Sequence, residues 1–278
     1  MRIDAHHHLW TYSAEEYGWI DDRMQVLRRN FGVPELRAAL ASAGVQAAVT
    51  VQARQTLEET SWLLELAGET PEMAGVVGWV PLRDPDVRDV LAEFRAEAKL
   101  RGVRHVLQAE PDGFMDSAEF NRGIAALGEF GLCYDVLITE RQMEEAIRLV
   151  DRHPGQRFVL DHIGKPLIAD GVLEPWRMQI FEMAKRPNVW CKLSGMVTEA
   201  KWSAWSGTLE PYADTVMEAF GPKRVMAGSD WPVCLVASGY AEWWEWMEAY
   251  VARLSETERR QVLGETAREF YGLRVSNL

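Results

Sequence analysis

The chain has 278 residues, of which 47% are hydrophobic and 26% charged, a composition that excludes disorder for its bulk and supplies material for a large core. A formal charge of −12 excludes an extended phosphate-binding surface or a polybasic membrane patch, since both need clustered cations. No apolar run reaches the ~18 residues that span a bilayer and no secretion-type leader opens the chain, so a cytoplasmic protein without membrane or nucleic-acid partners is expected.

The first ten residues, MRIDAHHHLW, contain an alternating strand pattern over residues 2–10. Strand side chains alternate, which places Asp4, His6 and His8 on one side and Ile3, Ala5, His7 and Leu9 on the other. The three histidines thus reduce to an H-x-H pair able to converge on one metal ion, with His7 turned toward packing. A long loop from Thr11 to Gly32 precedes a helix pattern with Pro34 in its first turn and Leu36, Ala39, Leu40 and Ala43 on one stripe. Further β-rich runs follow at 46–53, 75–81, 102–108, 131–138, 157–164, 189–195 and 224–232.

Amphipathic windows separate these runs. One carries Val87, Val90, Leu91, Phe94 and Ala98; the next, opened by Ser117, carries Phe120, Ile124 and Leu127; a third carries Met143, Ile147 and Val150. Two more hold Trp176, Ile180 and Ala184, then Tyr212, Val216 and Phe220. Two windows follow the last strand, the second starting at a Ser255-to-Glu258 capping box. Eight strand-and-helix units in alternation predict an α/β fold closed as a (β/α)8 TIM barrel, one domain over residues 1–278. The lack of a GxGxxG turn after any early strand argues against an open doubly wound sheet.

In such a barrel the C-terminal ends of the strands form the mouth where active sites are built. His6 and His8 reach that end from the first run, His162 from LDHIGKP, and Asp230 from MAGSDWP. Each has an ordinary explanation alone, a satisfied strand-end histidine or a turn-forming aspartate, but four at one end of a barrel point to chemistry. In the fourth run Arg104, Val106, Gln108 and Glu110 share a side, making Arg104 a candidate to bind a substrate oxygen and Glu110 a candidate further metal ligand. Lys192 and Ser194 share a side in the seventh, where an inward lysine needs a charge partner or a substrate. Trp10, Trp79, Trp202, Trp205 and Trp231 are candidate pocket walls. Cys133, Cys191 and Cys234 lack metal or redox spacing and read as buried thiols. Without a GxxxxGK[ST] loop, an HExxH or a GxSxG elbow, the inventory suits water activated against a carbonyl, with Asp230 as base.

Taken in order, IDAHHHLW, GVRHVLQAEPDGF, VLDHIGKP, CKLSGMVTEA and MAGSDWPVCL resemble the amidohydrolase superfamily, in its branch of sugar-lactone hydrolases of the L-fuconolactonase and L-rhamnonolactonase type. The resemblance implies a distorted (β/α)8 barrel that opens a sugar lactone to its acid. His6 and His8 match the metal pair, His162 the sixth-strand histidine and Asp230 the general base, with Arg104 and Lys192 toward the substrate. Asp135 stands where many binuclear members carry a histidine, so one divalent ion is expected, zinc first, completed by Glu110 or Asp230, with metal-independent catalysis as the alternative. Rival readings are a metal-dependent decarboxylase, a pyrone-dicarboxylate-type lactonase, and a non-catalytic carbohydrate-binding barrel. The sequence leaves assembly into a homo-oligomer open.

Overall fold

The computed structural model describes residues 1–275; the last three residues of the predicted domain, 276–278, lie outside the described residues. Every predicted β-run overlaps one strand, with β3 and β4 each starting two residues before their runs: β1 (Ile3–His7), β2 (Ala47–Val51), β3 (Met73–Gly78), β4 (Leu100–His105), β5 (Cys133–Val136), β6 (Phe158–Leu160), β7 (Val189–Leu193) and β8 (Val225–Ala227). They pair in parallel in chain order from β1 to β8, with helices on the connections, which is a (β/α)8 TIM barrel.

The predicted helices form, with three differences. The helix after Asp86 ends at Glu93, so Phe94 and Ala98 lie beyond it. A further helix, Leu57–Glu69, lies between β2 and β3 and escapes the periodicity because Glu59 and Thr60 are buried along with Leu63, Leu64 and Ala67. Its N-cap is Thr56, whose hydroxyl accepts from Glu59 N–H at 3.1 Å. The capping box at Ser255 is present, yet the final helical stretch is broken by a wider π turn at Gln261–Glu265 before resuming at Thr266–Tyr271.

Two apolar clusters build the core. The larger lies between the strands and the helical shell, while the smaller fills the barrel from below with Ile3, Ala5, Val49, Val77, Val159 and Met226, closed by Phe270 and Tyr271. The barrel has one seam, between β8 and β1, where a short bridge replaces a ladder. There Asp230 N–H donates to the His6 carbonyl at 2.8 Å and His8 N–H to the Trp231 carbonyl at 2.7 Å. Asp4 clamps the same seam: its carboxylate accepts from Ser229 N–H at 2.8 Å, Ser229 Oγ at 2.5 Å, His6 N–H at 3.1 Å and Tyr240 Oη at 3.1 Å. Burial pushes the Asp4 carboxyl up to about 6 against the pull of these donors. Among the described residues no helix is long and apolar enough to cross a membrane.

Candidate active site

The first strand departs from simple alternation. Asp4 pairs with Ala48 and His7 with Thr50, so three steps on β1 match two on β2, and Ala5 and His6 form a β-bulge. Ile3 and Ala5 face the barrel interior, Asp4 turns out to Ser229 and Tyr240, and His6 turns in again above Ala5. The expected grouping of Asp4 with His6 and His8 is therefore corrected, since the extra residue flips Asp4 to the outer face. His7 faces outward, as its parity implied, with Nε2 2.8 Å from Thr50 Oγ1.

The bulge gathers three donor atoms. His8 Nδ1 lies 2.8 Å from the Val51 carbonyl, which only accepts, so the ring proton sits on Nδ1 and the Nε2 lone pair faces inward. That Nε2 is 3.2 Å from His6 Nε2 and 3.3 Å from Asp230 Oδ1, and His6 Nε2 is 3.8 Å from the same oxygen. All three residues are buried. Burial drives His6 well below its ordinary pKa, with the Lys192 charge adding to the effect, and so holds it neutral, the form that ligates metals. Burial resists ionisation of Asp230, but the electrostatic pull of His162, His8 and Lys165 outweighs it and holds the carboxylate below its usual range. Two imidazole nitrogens and a carboxylate oxygen within 4.8 Å of one another fit one divalent ion of the zinc type.

A cationic floor lies beneath. Lys192 Nζ donates to Asp135 at 2.6 Å and His6 Nδ1 at 3.0 Å and forms an ion pair with Asp161 Oδ1 at 2.9 Å, and Tyr271 Oη donates to Asp135 at 2.8 Å. Because Lys192 only donates, its contact places the proton of neutral His6 on Nε2, in a run of donors from Lys192 through His6 and His8 to Val51; a shift of that proton to Nδ1, 3.4 Å from Asp161 Oδ1, frees the Nε2 lone pair that metal ligation needs. Arg104 crosses from β4 to donate to Asp161 Oδ2 at 3.2 Å and the Gln52 carbonyl at 2.5 Å, with Nη1 3.3 Å from His6 Nε2. A second donor group, His6 with Asp161 and His162, is thus already met by two built-in cations. Asp161 was missed in the sequence; its signal was the aspartate directly before His162 at a strand end.

His162 sits on a strained turn. Its φ is 52°, and Ile163, Gly164 and Lys165 follow at 51°, 74° and 48°, four consecutive residues in the left-handed region. Each non-glycine there costs roughly 1–2 kcal/mol. The turn sets the His162 ring 4.4 Å from that of His6, with Nδ1 2.9 Å from Ser194 Oγ and Nε2 3.9 Å from Asp230 Oδ1. Gly195 makes room: at φ 64°, a Cβ on it would fall 2.5 Å from His162 Nδ1. At the far end of the turn Lys165 Nζ lies 3.5 Å from Glu199 Oε1, an exposed-pair geometry worth at most ~1 kcal/mol, less than the backbone cost it accompanies.

The remaining expectations divide. Glu110 is corrected as a metal ligand: β4 ends at His105, a 3-10 turn at Leu107–Ala109 breaks the parity, and Glu110 accepts from outward-facing His105 at 2.7 Å. Lys192 is fully buried among ion pairs, so its contact with a substrate is corrected to support from below. Trp10 packs against Tyr17 and Phe31 and donates to the Arg29 carbonyl at 3.0 Å, within the long loop after β1. Trp231 packs on His7 and Phe31 at the outer side of β1, and Trp205 is tied to the Ala237 carbonyl at 3.1 Å. Trp79 donates to His105 Nδ1 at 3.2 Å, and Trp202 is half-buried beneath the Arg23 guanidinium. The three cysteines are free and buried.

Comparison with known proteins agrees with this architecture. The amidohydrolase family profile matches residues 3–273. The chain is 43% identical to L-fucono-1,5-lactonase of Burkholderia multivorans, covering 98% of this chain and 96% of that protein. It is 38% identical to L-fucono-1,5-lactonase of Burkholderia ambifaria, covering 98% and 95%. A crystal structure of an amidohydrolase from Burkholderia multivorans with bound zinc superposes with a TM-score of 0.95 at 43% identity, covering 99% of this chain and all of that one. A barrel with two first-strand histidines, a sixth-strand histidine and an eighth-strand aspartate at its mouth, matched over nearly its full length by that profile, belongs to the amidohydrolase family.

Proposed function

We propose that this chain hydrolyses a sugar lactone, the cyclic ester of an aldonic acid, to the open-chain acid, with residues 1–278 acting as one catalytic barrel on a small molecule. The observation that carries the reading is the ionised, buried Asp230 with Oδ1 3.3 Å from His8 and 3.9 Å from His162, at the strand ends of a barrel related to L-fucono-1,5-lactonases. Asp230 takes a proton from water as its oxygen attacks the lactone carbonyl. His162 and Arg104 stabilise the negative charge gathering on the carbonyl oxygen, as preorganised donors do. Collapse breaks the bond to the ring oxygen, and the proton held by Asp230 passes to that leaving alkoxide, so the carboxylate is regenerated. His6, His8 and Asp230 would hold one divalent ion, zinc as in the structure from Burkholderia multivorans, which when bound polarises the carbonyl and lowers the pKa of water.

A pH-indicator assay over a panel of aldonolactones, with metal analysis of the purified protein, tests this. Acid release from a deoxy-sugar lactone supports it. Inert lactones together with carbon dioxide release from an aromatic carboxylate would sink it in favour of decarboxylation.

A further inference from the structure

We propose that Lys165 and Glu199 form the subsite that reads the ring hydroxyls of the lactone, Glu199 accepting and Lys165 donating hydrogen bonds. The inference rests on the lactonase reading and deepens it.

The two residues meet across the mouth, Lys165 from the left-handed turn after β6 and Glu199 from the last residue of the short helix Met196–Glu199 after β7. Their side chains are 21% and 28% exposed, so the pair is reachable from solvent yet partly desolvated. The strain singles out Lys165. His162 earns its left-handed backbone by facing Asp230, and Ile163 is buried with its carbonyl accepting from Trp176 Nε1 at 2.8 Å. Lys165, at φ 48°, closes the turn by donating its N–H to the His162 carbonyl at 2.9 Å, while its side chain meets Glu199 only in a loose ion pair. A separation of 3.5 Å leaves the three donors of the ammonium and most carboxylate lone pairs available, the complement of a polyhydroxylated ring.

The pair stands on the turn that carries the chemistry: Lys165 caps the turn that holds His162, whose Nε2 is 3.9 Å from Asp230 Oδ1. The connections after β6 and β7 also line a cleft of about 390 Å³ with Ile168, Asp170, Lys201, Thr208 and Tyr212. The segments Ile168–Asp170 and Met196–Glu199 pack on each other.

The test uses the full chain and two probes, L-fucono-1,5-lactone and δ-valerolactone, which has the same ring without hydroxyls. Glu199→Ala is expected to raise KM for the hydroxylated lactone about 10- to 100-fold, the loss of one or two hydrogen bonds to a charged group, with kcat within about threefold. Its preference for the hydroxylated probe falls in proportion, and Glu199→Gln, which keeps an acceptor oxygen, recovers part of it. Lys165→Gly separates binding from structure: removing the strain should raise the unfolding temperature while KM still rises. An unchanged KM in folded Glu199→Ala and Lys165→Gly overturns the proposal, as does a fall in kcat with KM unmoved. If the wild type opens no lactone, the lactonase reading fails instead. Calorimetric binding of L-fuconate then reads the pair alone: weaker binding by Glu199→Ala supports it, and equal binding overturns it.

Discussion

His8 and Asp230 face each other across the barrel seam, Nε2 to Oδ1 at 3.3 Å, and the neighbouring backbone of each is hydrogen-bonded to the other's strand. The proposed base is thus held by the junction of the first and last strands.

Asp230→Asn keeps the shape and loses the base. Turnover is expected to fall about 10²–10⁴-fold, the usual contribution of a positioned general base, with an unaltered circular dichroism spectrum. Retained turnover in the folded variant would remove Asp230 from that role.

The three histidines should separate cleanly. His6→Ala and His8→Ala are expected to lower both turnover and zinc content measured by mass spectrometry, because each withdraws one of the clustered nitrogens. His7→Gln loses one hydrogen bond to Thr50, costs ~1 kcal/mol of stability and leaves zinc content and turnover near wild type. Loss of zinc in His7→Gln would contradict the outward orientation.

Lys192→Met should be strongly destabilising. It leaves the fully buried Asp135 without a cation and Asp161 with Arg104 alone, at an expected cost of about 3–5 kcal/mol in urea unfolding. Adding Asp135→Asn should restore part of that loss, the sign of a direct pair. A single-variant loss below 1 kcal/mol would show that the cationic floor is dispensable.

Gly228→Ala tests the seam. A Cβ there would fall 2.9 Å from His6 Cβ and 3.1 Å from His6 N, closer than packed atoms come. Overpacking predicts a loss of about 1–3 kcal/mol by thermal melting, with turnover falling further than stability because His6 is displaced. Wild-type kcat in this variant would mean that His6 need not be held where it stands.

The sequence made the barrel legible because strands buried on both faces read as short apolar runs between Gly and Pro, and all eight were found where expected. His6, His8, His162, Arg104 and Asp230 were legible because they end such runs, and the structure brings them together. Parity carried the argument only as far as the strands stayed regular. It misplaced Asp4, which lies before the bulge, and Glu110, which lies after a 3-10 turn. Lys165 was hidden for a related reason: the left-handed turn that aims it has no periodicity, and only Gly164 within it announces such a backbone.

The bulge at Ala5 and His6 has a consequence for anyone moving this site elsewhere. The aim of His6 depends on one extra residue in β1, held between an outward aspartate and an outward histidine that each grip a neighbouring strand or its loop. Grafting the histidines onto an evenly pleated strand of another scaffold would transfer the ligands without their convergence. A successful transplant must carry the irregular length of the strand and both of its outer anchors.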